Sequence, residues 1–360
     1  MSFHLLRRGV QFASSQLNND PDGEPKKIEL RSAPLLAVFS VVAIALILVL
    51  IFVDYTYGHV VSTLAAIEDT HPDVYVRIDN DDDLNKPLDA ADSEAAGAVE
   101  NQPKPITSKL RTTIKHLRAR AGPWSRFRGL SMYLVYHAVR SLMVRLFLFG
   151  SQHYFLRLFV HLGVDILLAN LQVAWVHIVI SEPSPKRFYQ RIPGPKEWRK
   201  FVPVVALQAL AIRAAFYVPM AVIQLFGGVD TSEASVSNMC KLSAILAGPA
   251  LLAILVAVPV HAVFVRVAAS TLPEECETIV PFDRSFGGKV VPAILGGSGA
   301  VSIADAWKTF DWPARKRYFK VIAKVFAIKT ALVVALGGAF AGLAFAAGTD
   351  AIRSLEPGSA

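Results

Sequence analysis

The sequence predicts an all-α integral membrane protein, with six transmembrane helices arranged as three tandem two-helix repeats. Three observations carry that expectation. The 360 residues are 53% hydrophobic and only 18% charged, against about a quarter charged in soluble domains. The run Ala33–Val53, "APLLAVFSVVAIALILVLIFV", holds 21 residues without a charge, and about 20 such residues cross the hydrocarbon core of a bilayer. Finally, "LLANLQVAWVHIVI" (Leu167 to Ile180) returns 84 residues later as "LLAILVAVPVHAVF" (Leu251 to Phe264), with seven of the first thirteen positions identical.

The elements follow in chain order. Residues 1–32 are a polar, lightly basic N-terminal segment. The first span, 33–53, is too long and too far from the N-terminus for a cleaved signal peptide. It opens the first repeat, 33–150, which contains the long polar link 54–129. Within that link, residues 68–100 carry eleven Asp and Glu against Arg77 and Lys86, and read as a flexible acidic loop. From residue 101 to 164 there are eleven Lys and Arg and no acid. Leu110, Ile114 and Leu117 fall there at helical spacing. They predict a membrane-surface helix whose bases, over 104–128, meet anionic lipid headgroups. An integral membrane protein has that polyanion closer to hand than any nucleic acid, so no nucleic-acid role is expected.

The stretch 130–150 carries Arg140 and Arg145. It is the second span, or an interfacial helix in a five-span alternative, because a lipid-facing Arg at the bilayer centre is costly. Apolar stretches at 155–180 and 201–226 form the second repeat (155–226). Those at 242–268 and 318–347 form the third (242–347), followed by the tail 348–360. Links 54–129, 181–200 and 269–317 are long or polar, whereas 151–154 and 227–241 are short, so the helices pair. Lys and Arg gather in the long links, which the positive-inside tendency puts on the matrix or cytosolic side. Lys26, Lys27 and Arg31 before the first span favour the opposite orientation and suit five spans.

The repeats share two further marks. The odd spans close on Val53-Asp54, Val176-His177 and Val260-His261. The even spans follow an aromatic–base pair, Phe127-Arg128, Trp198-Arg199 and Trp307-Lys308. The segment "AGPWSRFRG" contains Gly122, Phe127, Arg128 and Gly129, and the fifth span supplies Pro259. In these residues the chain, over 33–347, resembles the mitochondrial carrier family, which is built of three two-helix repeats. Its odd helices end in Pro-x-acid-x-x-base, and its joining segments carry acid-Gly-(four residues)-aromatic-base-Gly. Departures are plain: Ala121 replaces the acid, Phe52 and Trp175 stand where Pro is expected, and Tyr57, Ile180 and Phe264 occupy the base positions.

The resemblance implies a transporter of a mitochondrial membrane, with the endomembrane system as the alternative. It implies gate-like positions at Asp54, His177 and His261, and substrate contacts on the even helices around a central cavity. Arg140, Arg213 and Lys329 lie on those helices. Three bases there would hold a small anionic solute, since a guanidinium grips carboxylate or phosphate in bidentate fashion. The competing reading is that these side chains snorkel to the interface. Because the gate pairs are lost, a second function stands beside transport: a non-transporting membrane scaffold that docks a protein partner through the loop 54–126. Asp165, Asn170, Gln172 and His177 are polar positions in the third span, where such groups bond to neighbouring helices.

Nothing points to an enzyme. Cys240 and Cys276, the only cysteines, give neither a disulfide framework nor metal spacing. "GGSGAVSIADAW" lacks the Gly-Lys-Ser/Thr ending of a phosphate loop and predicts a short helix over 301–310. Glu274, Glu275, Glu277 and Asp283 read as a solvated acidic loop rather than a metal site. No cofactor, metal or catalytic constellation is expected.

Overall fold

The computed structural model describes residues 33–69, 105–151, 153–225, 236–291 and 295–353. The polar segment 1–32, the acidic stretch 70–100, most of the link 227–241 and the tail beyond residue 353 lie outside the described residues. Secondary structure among the described residues is helical, apart from an isolated bridge between Ser181 and Thr278.

In chain order, α1 (Ala33–Val53) runs without a break through a π-helical segment, Asp54–Val61, into α2 (Ser62–Ile67). After α3 (Leu110–Ala121) and α4 (Leu130–Phe147) come α5 (Tyr154–Leu167) and α6 (Ala169–Ile180). The long α7 (Trp198–Leu225) is followed by α8 (Val236–Leu252), a second π-helical segment Ala253–Ala257, and α9 (Val258–Ser270). A short α10 (Ile303–Lys308), where the Gly-rich stretch predicts one, precedes α11 (Trp312–Arg353).

Among the described residues four helices are long and apolar enough to cross a membrane: Val41–Ile67, Trp198–Leu225, Ser243–Ser270 and Trp312–Ala339. The pair Phe155–Leu167 and Ala169–Ile180, bent by 53°, makes a fifth if counted as one span. This set is consistent with an integral membrane protein. The expected sixth, α4, is not among them. Tyr133, Tyr136, His137, Arg140 and Arg145 interrupt its apolar pattern, so length and composition support four or five crossings rather than six.

The first span also differs from its expected end. Hydropathy puts a loop from residue 54, yet the helix continues to Ile67. The polar stretch "DYTYGHVVST" stays helical because its side chains find partners within the fold. Tyr55 donates to the Arg128 carbonyl at 2.6 Å, and Ser62 to the His59 carbonyl at 3.0 Å.

The chain divides into two compact units: residues 50–331, and residues 1–49 together with 332–360. In the latter, 33–49 and 332–353 are helix, and apolar side chains such as Val41, Ile44, Val333 and Val334 are exposed. In lipid such a face needs no protein cover. In the larger unit the ends of three helices pack on one another: α2, α6 and α9. Leu64, Val176, Val179 and Val265 are fully buried there. Polar links then close over this core. Ile279 N donates to Ile180 O at 2.9 Å, Glu182 N to Glu277 O at 2.8 Å, and Asp69 N to Pro281 O at 3.0 Å.

The basic helix forms as its spacing predicts, but its apolar stripe faces protein. Ile114 and Leu117 are buried, and His116 Nε2 lies 2.8 Å from Ile279 O, while Arg111, Lys115 and Arg118 point to solvent. A buried Glu68 fastens the preceding segment by accepting from Thr107 N at 3.0 Å and from the Thr107 hydroxyl. Arg317 of α11 supplies its counter-charge, Nε to Oε2 at 3.6 Å.

Candidate functional site

Within the larger unit, α4–α7, α9 and the first π-helical segment surround a cavity of about 270 Å³. Two helical stripes account for most of its wall. Tyr133, Tyr136, His137 and Arg140 follow one another at i, i+3, i+4 and i+7 on α4. Val205, Gln208, Ala209, Ile212 and Arg213 do so at i, i+3, i+4, i+7 and i+8 on α7. Residues at those offsets share one face of an α-helix.

Asp165, on α5 just before the bend, is the hub. It is buried and accepts from Arg140 Nε at 2.6 Å, from Arg213 Nη2 at 2.7 Å and from the Tyr136 hydroxyl at 3.3 Å. Gln172 supports the arrangement by donating Nε2 to the Tyr136 oxygen at 2.8 Å. Arg213 is itself only 9% exposed and turns back along α7 to donate Nη1 to Ala209 O at 3.0 Å. It lies fifteen residues after Trp198 and twelve before Leu225, or roughly 20 Å from either helix end at 1.5 Å per residue. Snorkelling cannot carry a guanidinium that far. Two guanidiniums against one carboxylate leave the charged wall net positive. Asp165 also offsets the large cost of burying Arg213 away from water.

Much of the remaining wall is aromatic. The Tyr133 hydroxyl lies 3.2 Å from His59 Nε2, and its ring is tilted against His137 with centroids 4.2 Å apart. Trp175 stands edge-on to His59 at 6.0 Å, and Phe264 closes the floor beside His261 at 6.1 Å. His261 Nδ1 meets Gln208 Nε2 at 3.0 Å, while the buried Gln208 Oε1 has no partner among the described residues.

The structure thus brings Arg140 and Arg213 together but leaves Lys329 apart. Lys329 Nζ pairs with Asp54 Oδ1 at 2.7 Å, and Asp54 Oδ2 is 3.8 Å from His59 Nε2. The three gate-like positions are also separated. His261 lines the cavity, whereas His177 is buried and meets Ala268 O at 2.8 Å and Thr271 Oγ1 at 3.3 Å, tying α6 to α9. Asp54 starts the π-helical segment, thirteen residues before Ile67. Measured from the helix ends at Ile67, Ile180 and Ser270, the residues eight or nine positions back are His59, Gln172 and His261, and all three line the cavity. The duplicated Val-His of the sequence therefore does not mark equivalent places, because each helix continues a different distance past it.

The repeat-motif residues act as fasteners. Arg128 donates Nε to Ile178 O at 2.5 Å and Nη2 to Ser181 O, and burial, with Arg191 nearby and opposed by Glu182, pulls its pKa down to about 10. Gly129 has φ +76° and starts α4. A Cβ there would meet the Trp175 ring at 3.2 Å. Gly122, at φ +79°, ends α3, and Phe127 packs edge-on against Phe52 at 5.4 Å. Trp198 Nε1 donates to Ile166 O at 2.8 Å, beside the bend between α5 and α6. Trp307 carries Arg315 over its ring at 4.0 Å, while Arg199 and Lys308 are exposed and Pro259 sits in the first turn of α9. Asn170 donates to Pro193 O at 3.1 Å.

A second cavity, of about 260 Å³, lies where α2, α9 and α11 meet the links. Arg266 fills its wall between the rings of Phe286 and Phe310, at 4.9 and 5.0 Å, and donates to Ala306 O, Ala66 O and Thr309 O. Asp283 is held below the usual carboxylate range: burial raises it, but hydrogen bonds from Gly287 N and from Ser285 outweigh that. Among the described residues no group of three or more His, Cys, Asp or Glu is placed to hold a metal ion.

Sequence reasoning singled out Arg140 and Arg213 but missed the aromatic and histidine positions His59, Tyr133, Tyr136 and His137, and the amide of Gln208. The helical offsets within "YLVYHAVR" and "VVALQALAIR" carry that signal. Comparison with family models, with curated proteins and with solved structures returns no match.

Proposed function

We propose that this chain is a polytopic membrane protein that passes a small anionic solute through the cavity built on Arg140, Asp165 and Arg213. One observation carries the reading: two arginines converge on a single buried aspartate, and one of them, Arg213, sits near the middle of the membrane-compatible helix α7, so the cavity wall is net positive. Ionisable groups at that depth mark solute or ion pathways, and a concave, mostly apolar pocket with a few converging polar groups is the usual form of a small-molecule site. The carrier-like architecture belongs to this proposal: three helix pairs, with α4 completing the set by lining the cavity with one face. So does an organellar membrane, suggested by the resemblance of "AGPWSRFRG" to a carrier joining segment.

The test is flux. Full-length protein reconstituted in phosphatidylcholine liposomes should take up labelled small organic anions, and Arg213→Ala should lower the rate more than tenfold. Lys329→Ala, which breaks a pair outside the cavity, should change it less than threefold. Undiminished flux in folded Arg213→Ala protein would sink the proposal.

A further inference from the structure

We infer that the solute is a hydroxylated monocarboxylate with an apolar body, an inference that rests on the anion-cavity reading above. Four features of the cavity converge on that class. The first is charge. With the histidines neutral, Arg140 and Arg213 against Asp165 leave one positive charge, which a single carboxylate neutralises and a dianion overshoots. Each guanidinium has five N–H donors, and the bonds to Asp165 and Ala209 leave others for a ligand.

The second is polarity. Trp175, Phe264 and Ile212 form an apolar part of a wall that elsewhere carries Tyr, His and Gln side chains, so a second carboxylate or a phosphate oxygen turned against that part would lose its water without a replacement partner. An apolar body fits there.

The third is the amide of Gln208. Its nitrogen is engaged by His261 at 3.0 Å, and its buried oxygen has no partner among the described residues. A buried acceptor left unmade is costly, so a ligand group that supplies the missing bond binds preferentially. A hydroxyl suits this place better than an ammonium. It both donates and accepts, and so satisfies the amide in either of its two orientations. The placement is right as well: Arg213 reaches back along α7 to the carbonyl of Ala209, the residue next to Gln208, and both side chains line the one cavity. A carboxylate on Arg213 and a hydroxyl on Gln208 can then belong to one small molecule.

The fourth is size. A volume of about 270 Å³ falls just below the range of roughly 300–1,000 Å³ that holds drug-sized ligands, which limits the solute to metabolite dimensions.

Calorimetric titration of full-length protein in phosphatidylcholine nanodiscs tests this with four probes: 3-phenyllactate, 3-phenylpropionate, succinate and inorganic phosphate. We expect 3-phenyllactate to bind at least tenfold tighter than succinate or phosphate. We also expect it to bind about fivefold tighter than 3-phenylpropionate, which lacks the hydroxyl. Gln208→Leu should erase that fivefold difference, so that the two phenyl probes bind alike. Succinate or phosphate binding as tightly as 3-phenyllactate would overturn the inference and leave the anion reading intact. So would a Gln208→Leu protein that still prefers the hydroxylated probe. If none of the four binds to protein that melts cooperatively, the anion reading falls and the inference falls with it.

Discussion

Arg213 and Asp165 show how much a single buried charge depends on its company. Removing one member of a buried pair strands the other, a cost of about 3–5 kcal/mol, whereas exposed pairs are worth about 1 kcal/mol or less. The same reasoning separates the two members of the Glu68–Arg317 pair, which are 1% and 8% exposed. Glu68 also accepts from Ile106 N and Thr107 N, so it keeps partners when Arg317 is lost. Among the described residues Arg317 has no hydrogen-bond partner at Nε and Nη1, and when the Glu68 side chain is lost it keeps only its Nη2 bond to the Glu68 carbonyl. Thermal melts in detergent should therefore show a larger loss for Glu68→Ala, about 3–5 kcal/mol, than for Arg317→Met. Equal losses would mean that the hydrogen bonds to Ile106 and Thr107 contribute nothing. The charge at Glu68 is plain in the sequence; its burial is not, because it stands beside an acidic run that reads as solvated.

At the scale of elements, the aromatic–base pairs position the helices around the cavity. Arg128 ties the start of α4 to the end of α6, and Gly129 lets the Trp175 ring lie against the turn. Gly129→Ala should cost about 1–2 kcal/mol for the left-handed backbone alone. It should also displace Trp175, which lines the cavity, so ligand affinity should fall together with the melting temperature. A loss of stability with unchanged affinity would show that the ring does not transmit the strain. Helical spacing made α3, α10 and the apolar parts of the spans legible in advance. The π-helical continuation of α1 was not, because its Tyr, Thr, Gly and His residues look like a loop until Arg128 and Trp175 are placed beside them. The 53° break between α5 and α6 was equally hidden in an unbroken apolar run.

For the whole molecule, the crossing of the helix Ser243–Ser270 can be tested with the native cysteines. Cys240 is exposed just before it, and the half-buried Cys276 follows it. In sealed vesicles of single orientation, an impermeant maleimide should label Cys276→Ser protein and Cys240→Ser protein from opposite faces, more slowly at Cys276. Labelling of both from one face would remove this helix from the set of spans. Apolar composition and helical period by themselves determined an all-helical chain with long membrane-compatible segments, because those properties are local and hydropathy reports them directly. They also picked out Arg140 and Arg213 as charges too deep to ignore. Only the tertiary structure decided which charges meet. Asp165 takes both arginines, Lys329 goes to Asp54, and His59, Gln172 and His261, not the duplicated Val-His pairs, line one cavity. The physical reason is register: where a helix ends and how far it bends set the level of each side chain, and both depend on partners on other elements, 32 residues away for Trp198 with Ile166 and 120 for Trp175 with Tyr55.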